Sequence, residues 1–84
     1  MSKNDLTQIL KAFALEVVKY CRKIPSNTES IIFKKQLIRS ATSAAANYRS
    51  ACSGRSRKEW YTKMCIALEA TDESNFWLDF LEAV

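Results

Sequence analysis

The chain has no histidine at all, one glycine and one proline in 84 residues. The missing imidazole removes the commonest zinc ligand and the commonest general base together. Three cysteines, Cys21, Cys52 and Cys65, are an odd number without a CxxC pair. A disulfide framework is therefore not indicated. No run approaches the roughly 20 uncharged apolar residues of a membrane span, and the N-terminal MSKNDLTQ is polar rather than a leader. Reduced thiols and a polar start point to the cytoplasm. Scarcity of both helix breakers argues for a few long elements.

A domain this small buries only about 60% of the surface its unfolded chain exposes, so its core is marginal and a staple is expected. With metal and disulfide unsupported, oligomerisation is left. Charge is uneven along the chain. All thirteen Lys and Arg lie in residues 1–63 beside four acids, whereas residues 64–84 carry five acids and no base. Such a division sets up a directional field.

Periodicity predicts one helical-bundle domain over residues 1–84, with helices at about 4–24, 28–52 and 57–83. In the first, Leu6, Ile9, Leu10, Phe13, Val17, Tyr20, Cys21 and Ile24 recur at helical steps. Pro25 ends it, because the residue before a proline is pushed out of the helical region. Ser26-Asn27-Thr28-Glu29 reads as a capping box opening the second helix. Its apolar face is Phe33, Leu37, Ala41, Ala44, Tyr48 and Ala51, beside a polar stripe of Gln36, Ser40, Ser43 and Asn47. The stripe suits hydrogen bonds to a neighbouring helix. Gly54 is placed as a C-terminal glycine in the left-handed region. Ser56-Arg57-Lys58-Glu59 reads as a second capping box for the third helix. Short connections then imply an all-α, antiparallel up-down bundle.

The third helix is apolar on more than one side. One stripe is Trp60, Met64, Ala67, Leu68, Leu78 and Leu81; a second holds Ile66, Ala70, Trp77 and Val84, with Phe80 and Phe76 beyond. Two partner helices cover one side. The surface of Ile66, Ala70, Trp77, Phe80 and Val84 is then the candidate for a missing helix or another subunit.

Four segments at fixed spacing carry a family resemblance: Gln36-Leu37-Ile38-Arg39-Ser40, Ser43-Ala44-Ala45-Ala46-Asn47-Tyr48-Arg49, Ser56-Arg57-Lys58-Glu59-Trp60 and Asp72-Glu73-Ser74-Asn75-Phe76-Trp77-Leu78. Together they resemble the bacterial four-helix-bundle family encoded in intervening sequences of 23S ribosomal RNA genes. The accessory variability protein of diversity-generating retroelements is a relative. The resemblance implies an antiparallel four-helix bundle, assembly into ring-like homopentamers and, for that relative, contact with nucleic acid and a reverse transcriptase through a basic surface. Two departures stand out. The sequence ends where the family's fourth helix is expected, and Ser50 and Ala51 occupy the place where many relatives have an acid.

Candidate chemistry is sparse. Without a histidine or a Gly-rich turn, the cysteines read as core fillers and catalysis is not expected. Glu69, Asp72, Glu73, Asp79 and Glu82 lack the Glu-x-x-His partner of di-metal bundles and read as a solvated face, so no metal or cofactor is implied. Lys35, Arg39 and Arg49 on the second helix, with Arg55, Arg57 and Lys58 around the start of the third, are the candidate contacts for phosphates of RNA or DNA. The alternative is a solvated face serving assembly and solubility. The expected partners are other copies of the chain, nucleic acid and, by resemblance, another protein such as a reverse transcriptase; a membrane is not among them.

Overall fold

A computed structural model describes residues 2–84. Three helices account for almost all of them: α1 (Lys3–Lys23), α2 (Thr28–Cys52) and α3 (Arg57–Ala83). No strand occurs among the described residues. Among the described residues no helix is long and apolar enough to cross a membrane.

Local hydrogen bonding decides the helix ends. Ser2 caps α1, its Oγ accepting from the Asp5 N–H at 3.2 Å while the Asp5 carboxylate accepts from the Ser2 N–H at 3.1 Å. This box places the start one residue earlier than the apolar period indicated. Ile24 follows in extended backbone (φ −85°, ψ 127°), as a residue before proline should.

The cap of α2 is Asn27, not Ser26. Asn27 Oδ1 accepts from the Ser30 N–H at 2.8 Å, and Ser30 Oγ accepts from the Asn27 N–H at 2.9 Å. Ser30 wins over Glu29 as the reciprocal partner because its hydroxyl, buried at the corner, also lies 2.8 Å from the Pro25 carbonyl. Ser26 is drawn elsewhere: its Oγ accepts from Lys34 Nζ at 3.1 Å, and the same ammonium donates to the Ile24 carbonyl at 2.8 Å. Glu29 stays in the first turn, where its charge suits the helix dipole.

The second turn also departs from expectation. Ser56 Oγ accepts from the Glu59 N–H at 3.0 Å, one half of the expected box. Gly54 is not left-handed; no residue among those described has a positive φ. Its N–H donates to the Ala51 carbonyl at 3.0 Å. Room favours glycine there, since a Cβ would sit a tight 3.0 Å from that same oxygen and 3.4 Å from the Trp60 nitrogen.

The helix backbones meet in two seams, α1 with α2 and, more extensively, α2 with α3; α1 and α3 do not approach closely. The molecule is accordingly elongated, 44 × 20 × 15 Å. Its centre is a cluster of Ala14, Val17, Cys21, Leu37, Ala41 and Leu81, flanked by Phe13, Tyr20, Phe33, Trp77 and Leu78. Much of the buried surface is alanine: Ala44, Ala51, Ala67 and Ala70 join the two above. Small side chains let α2 lie close to both neighbours.

The surface expected to await a missing helix is only partly open. Ala70 is buried in the bundle, and Trp77 is half-buried, stacked on Phe33 with ring centroids 5.8 Å apart. Phe80 meets the same ring edge-on at 4.8 Å, so α2 itself covers much of this stripe. Ile66, Phe80 and Val84 remain exposed, and so does Leu68 of the other stripe, at 64%.

Candidate nucleic-acid interface

The six candidate cations separate into groups. Arg39 is already occupied. Its guanidinium is paired with Glu73 of α3, and its Nε donates to Gln36 Oε1 at 3.1 Å. Glu73 Oε2 also accepts from the Trp77 indole N–H at 3.0 Å. The carboxylate thus joins α2 to α3 within one chain. Below it, Ser40 donates to the Leu37 carbonyl at 3.1 Å, and Ser74 Oγ lies 3.0 Å from both Ser40 Oγ and the Ala70 carbonyl. Among the described residues, Ser40 is the one member of the polar stripe bonded to another helix; Gln36 bonds to Arg39 and Asn47 to Ser43 on their own helix.

Lys35 is exposed but remote. At about 1.5 Å per helical residue it stands roughly 21 Å along α2 from Arg49. Arg49 is exposed at the rim of a hollow between α1 and α2 that Lys11, Leu15 and Ala46 also line.

Arg55, Arg57 and Lys58 lie exposed around the turn between α2 and α3. None of them, nor Arg49, makes an ion pair; Lys19–Glu16 and Arg39–Glu73 are the pairs among the described residues. A residue the sequence did not bring forward joins them. Lys3, at the start of α1, lines the same hollow as Ala51, Cys52, Gly54, Arg57, Trp60 and Tyr61. No pattern near Lys3 in the sequence signals this; only the packing brings that end of α1 beside the α2–α3 turn. Trp60 and Tyr61 are 38% and 66% exposed. The basic cluster therefore contains two accessible aromatic rings.

Burial conditions two titratable groups elsewhere in the molecule, Cys21 and Tyr48. Desolvation pushes the Cys21 thiol up, and the nearby Lys34 ammonium offsets this only in part. A raised thiol is a poorer nucleophile, in keeping with a core residue. Tyr48 is raised as well, first by burial and then by its hydrogen bond with the Cys52 thiol. Among the described residues no group of cysteine and acidic side chains is arranged to hold a metal ion.

A family model described as 23S rRNA-intervening sequence protein matches residues 2–84, and the chain belongs to that family. No curated protein and no solved structure gives a match.

Proposed function

We propose that this member of the 23S rRNA-intervening sequence protein family is a non-enzymatic, cytoplasmic accessory protein that binds nucleic acid through one end of its helical bundle and works as a homo-oligomer. The observation that carries the reading is the set of unpaired cations at the α2–α3 turn, Arg55, Arg57 and Lys58, with Lys3 lining the same hollow as Arg57 and Arg49 unpaired on the neighbouring α1–α2 hollow. A surface ammonium or guanidinium without a carboxylate partner is free to displace the counterions of a phosphate backbone. Arg39 is removed from the contact set by Glu73, and Lys35 is too distant to act with the cluster.

The bundle is read as antiparallel, and the pairings Phe33 with Trp77 and Phe80, and Ser40 with Ser74, support that path. Exposed Ile66, Leu68, Phe76 and Phe80 on α3 support assembly with further helices, whether from other copies or from a fourth helix. The same apolar residues favour a second reading, a protein-interaction module in which the charges serve only assembly and solubility.

Salt separates the two. Phosphate binding must weaken steeply as ionic strength rises. Light scattering behind size exclusion, with and without a short oligonucleotide at two salt concentrations, reads assembly and binding together. Replacing Arg55, Arg57 and Lys58 together by alanine is expected to lower the slope of log K against log salt by about 2 to 3, without changing the assembly state. An unchanged slope places the contact elsewhere.

A further inference from the structure

We infer that the hollow at the α2–α3 turn is a stacking site for an unpaired base, so that the nucleic acid this protein takes is single-stranded rather than duplex. The inference rests on the reading above and names the ligand class of the same end of the molecule.

Three features of the hollow carry it. Its walls combine cations with aromatic rings: Lys3 and Arg57 on one hand, Trp60 and Tyr61 on the other. Its floor is made of small groups, Ala51 and Gly54, with the Cys52 thiol, so a flat ring meets no bulky side chain. Its volume is about 500 Å³, inside the range of about 300–1,000 Å³ usual for small-molecule pockets.

The rings themselves are unusual tenants of a helix start. Tyr61 is two-thirds exposed, and neither its hydroxyl nor the Trp60 indole N–H bonds to another described residue. In a chain whose core is marginal, a large ring left in water forgoes stabilisation that burial would supply. Arg57 precedes Trp60 and Tyr61 by three and four positions, and residues so spaced are neighbours on a helix surface. Arg55 and Lys58 are exposed on the same turn and first helical turn, within reach of phosphates flanking a stacked base.

A phosphate-only site requires none of these rings. Duplex bases are already stacked on each other and offer no free face, whereas an unpaired base has one. Cations that track a backbone, interleaved with exposed aromatics, are the arrangement that binds single strands with little sequence preference.

The test is fluorescence anisotropy at low salt with a short labelled strand free of self-complementarity, as RNA and as DNA, and with the blunt duplex of the same length. The wild-type chain is compared with Tyr61→Ala, Tyr61→Phe and the Arg55, Arg57, Lys58 triple alanine variant. Wild type is expected to prefer the single strand, of either sugar. Tyr61→Ala should weaken single-strand binding by at least about fivefold and leave duplex binding unchanged. Tyr61→Phe keeps the π-face and should bind as wild type does. Equal wild-type affinity for strand and duplex, or a Tyr61→Ala variant as tight as wild type, overturns the stacking site while leaving a salt-dependent phosphate reading in place. Absence of binding to every probe overturns both.

Discussion

The middle of the α2–α3 seam and the turn that joins those helices use polar residues in opposite ways. In the seam each charge has an answer: Arg39 meets Glu73, Glu73 also takes the Trp77 indole, and the Ser40 and Ser74 hydroxyls close on each other and on the backbone. At the turn, Arg55, Arg57 and Lys58 have no carboxylate, and Trp60 and Tyr61 are accessible. Polar groups satisfied inside a seam hold two helices in register. Cations left unsatisfied at an end add little to stability and are available to a ligand. Composition does not separate these uses, since both regions combine arginine, serine and aromatics. Partners do.

Perturbing each region should therefore move a different observable. The largest stability effect is expected in the core beside the seam. Leu37 is fully buried in the central cluster, and Leu37→Ala should cost about 2–5 kcal/mol in urea unfolding. The triple alanine variant at the turn should leave the unfolding midpoint nearly unchanged. Equal destabilisation by both would erase the distinction.

Next in size are the caps. Asn27→Ala should destabilise by about 1 kcal/mol and Ser26→Ala by clearly less. The opposite order, read by thermal melts of both variants, would restore Ser26 as the cap. Smaller again is the ion pair. Glu73→Gln should cost about 0.2–1 kcal/mol, since both side chains are partly exposed. Arg39→Ala should leave oligonucleotide affinity unaltered, because that guanidinium is already engaged. A loss matching that of Arg57→Ala would put Arg39 back in the interface.

The mildest perturbation is alkaline pH. Cys21 and Tyr48 hold their protons more tightly folded than unfolded. Their contribution is complete below the unfolded values and declines as pH rises through and above them, so stability falls on the alkaline side. Tyr48→Phe should flatten that fall above about pH 10, measured as melting temperature against pH. An identical profile would mean Tyr48 does not contribute to it.

How much of this could be read from residues alone follows from the range of the interactions. Helix number and extent depend on Pro25, on Gly54 and on apolar spacing, all of them local, and those are legible. The family is legible too, because four ordered segments carry it. The choice of Asn27 over Ser26 is not. It turns on where the Ser30 hydroxyl finds a second acceptor and on Lys34 claiming Ser26, which need the corner to be folded. The backbone of Gly54 departs from expectation for a related reason: what favours glycine is clearance from the Ala51 carbonyl and Trp60, not handedness. The candidate interface was legible as a list of cations and not as a place. Arg39 leaves the list only when the register of α3 brings up Glu73, and Lys3 enters it only when α1 is packed beside the turn. Ala70 shows the same limit, since its stripe could not reveal that α2 buries it.

The corner between α1 and α2 bears on the order in which the chain is made. Pro25, Asn27, Ser30 and Lys34 stitch it with bonds spanning no more than ten positions. Closing so short a loop costs little chain entropy, so it can form early. Ser74 must find Ser40 across 34 positions, a slower search. On a ribosome the first two helices emerge, and their corner can be locked, before α3 has emerged to complete the second seam. Until then the alanine-rich flank of α2 waits uncovered. That interval is when a nascent chain of this kind is most open to pairing with the wrong helix, or with a sister chain.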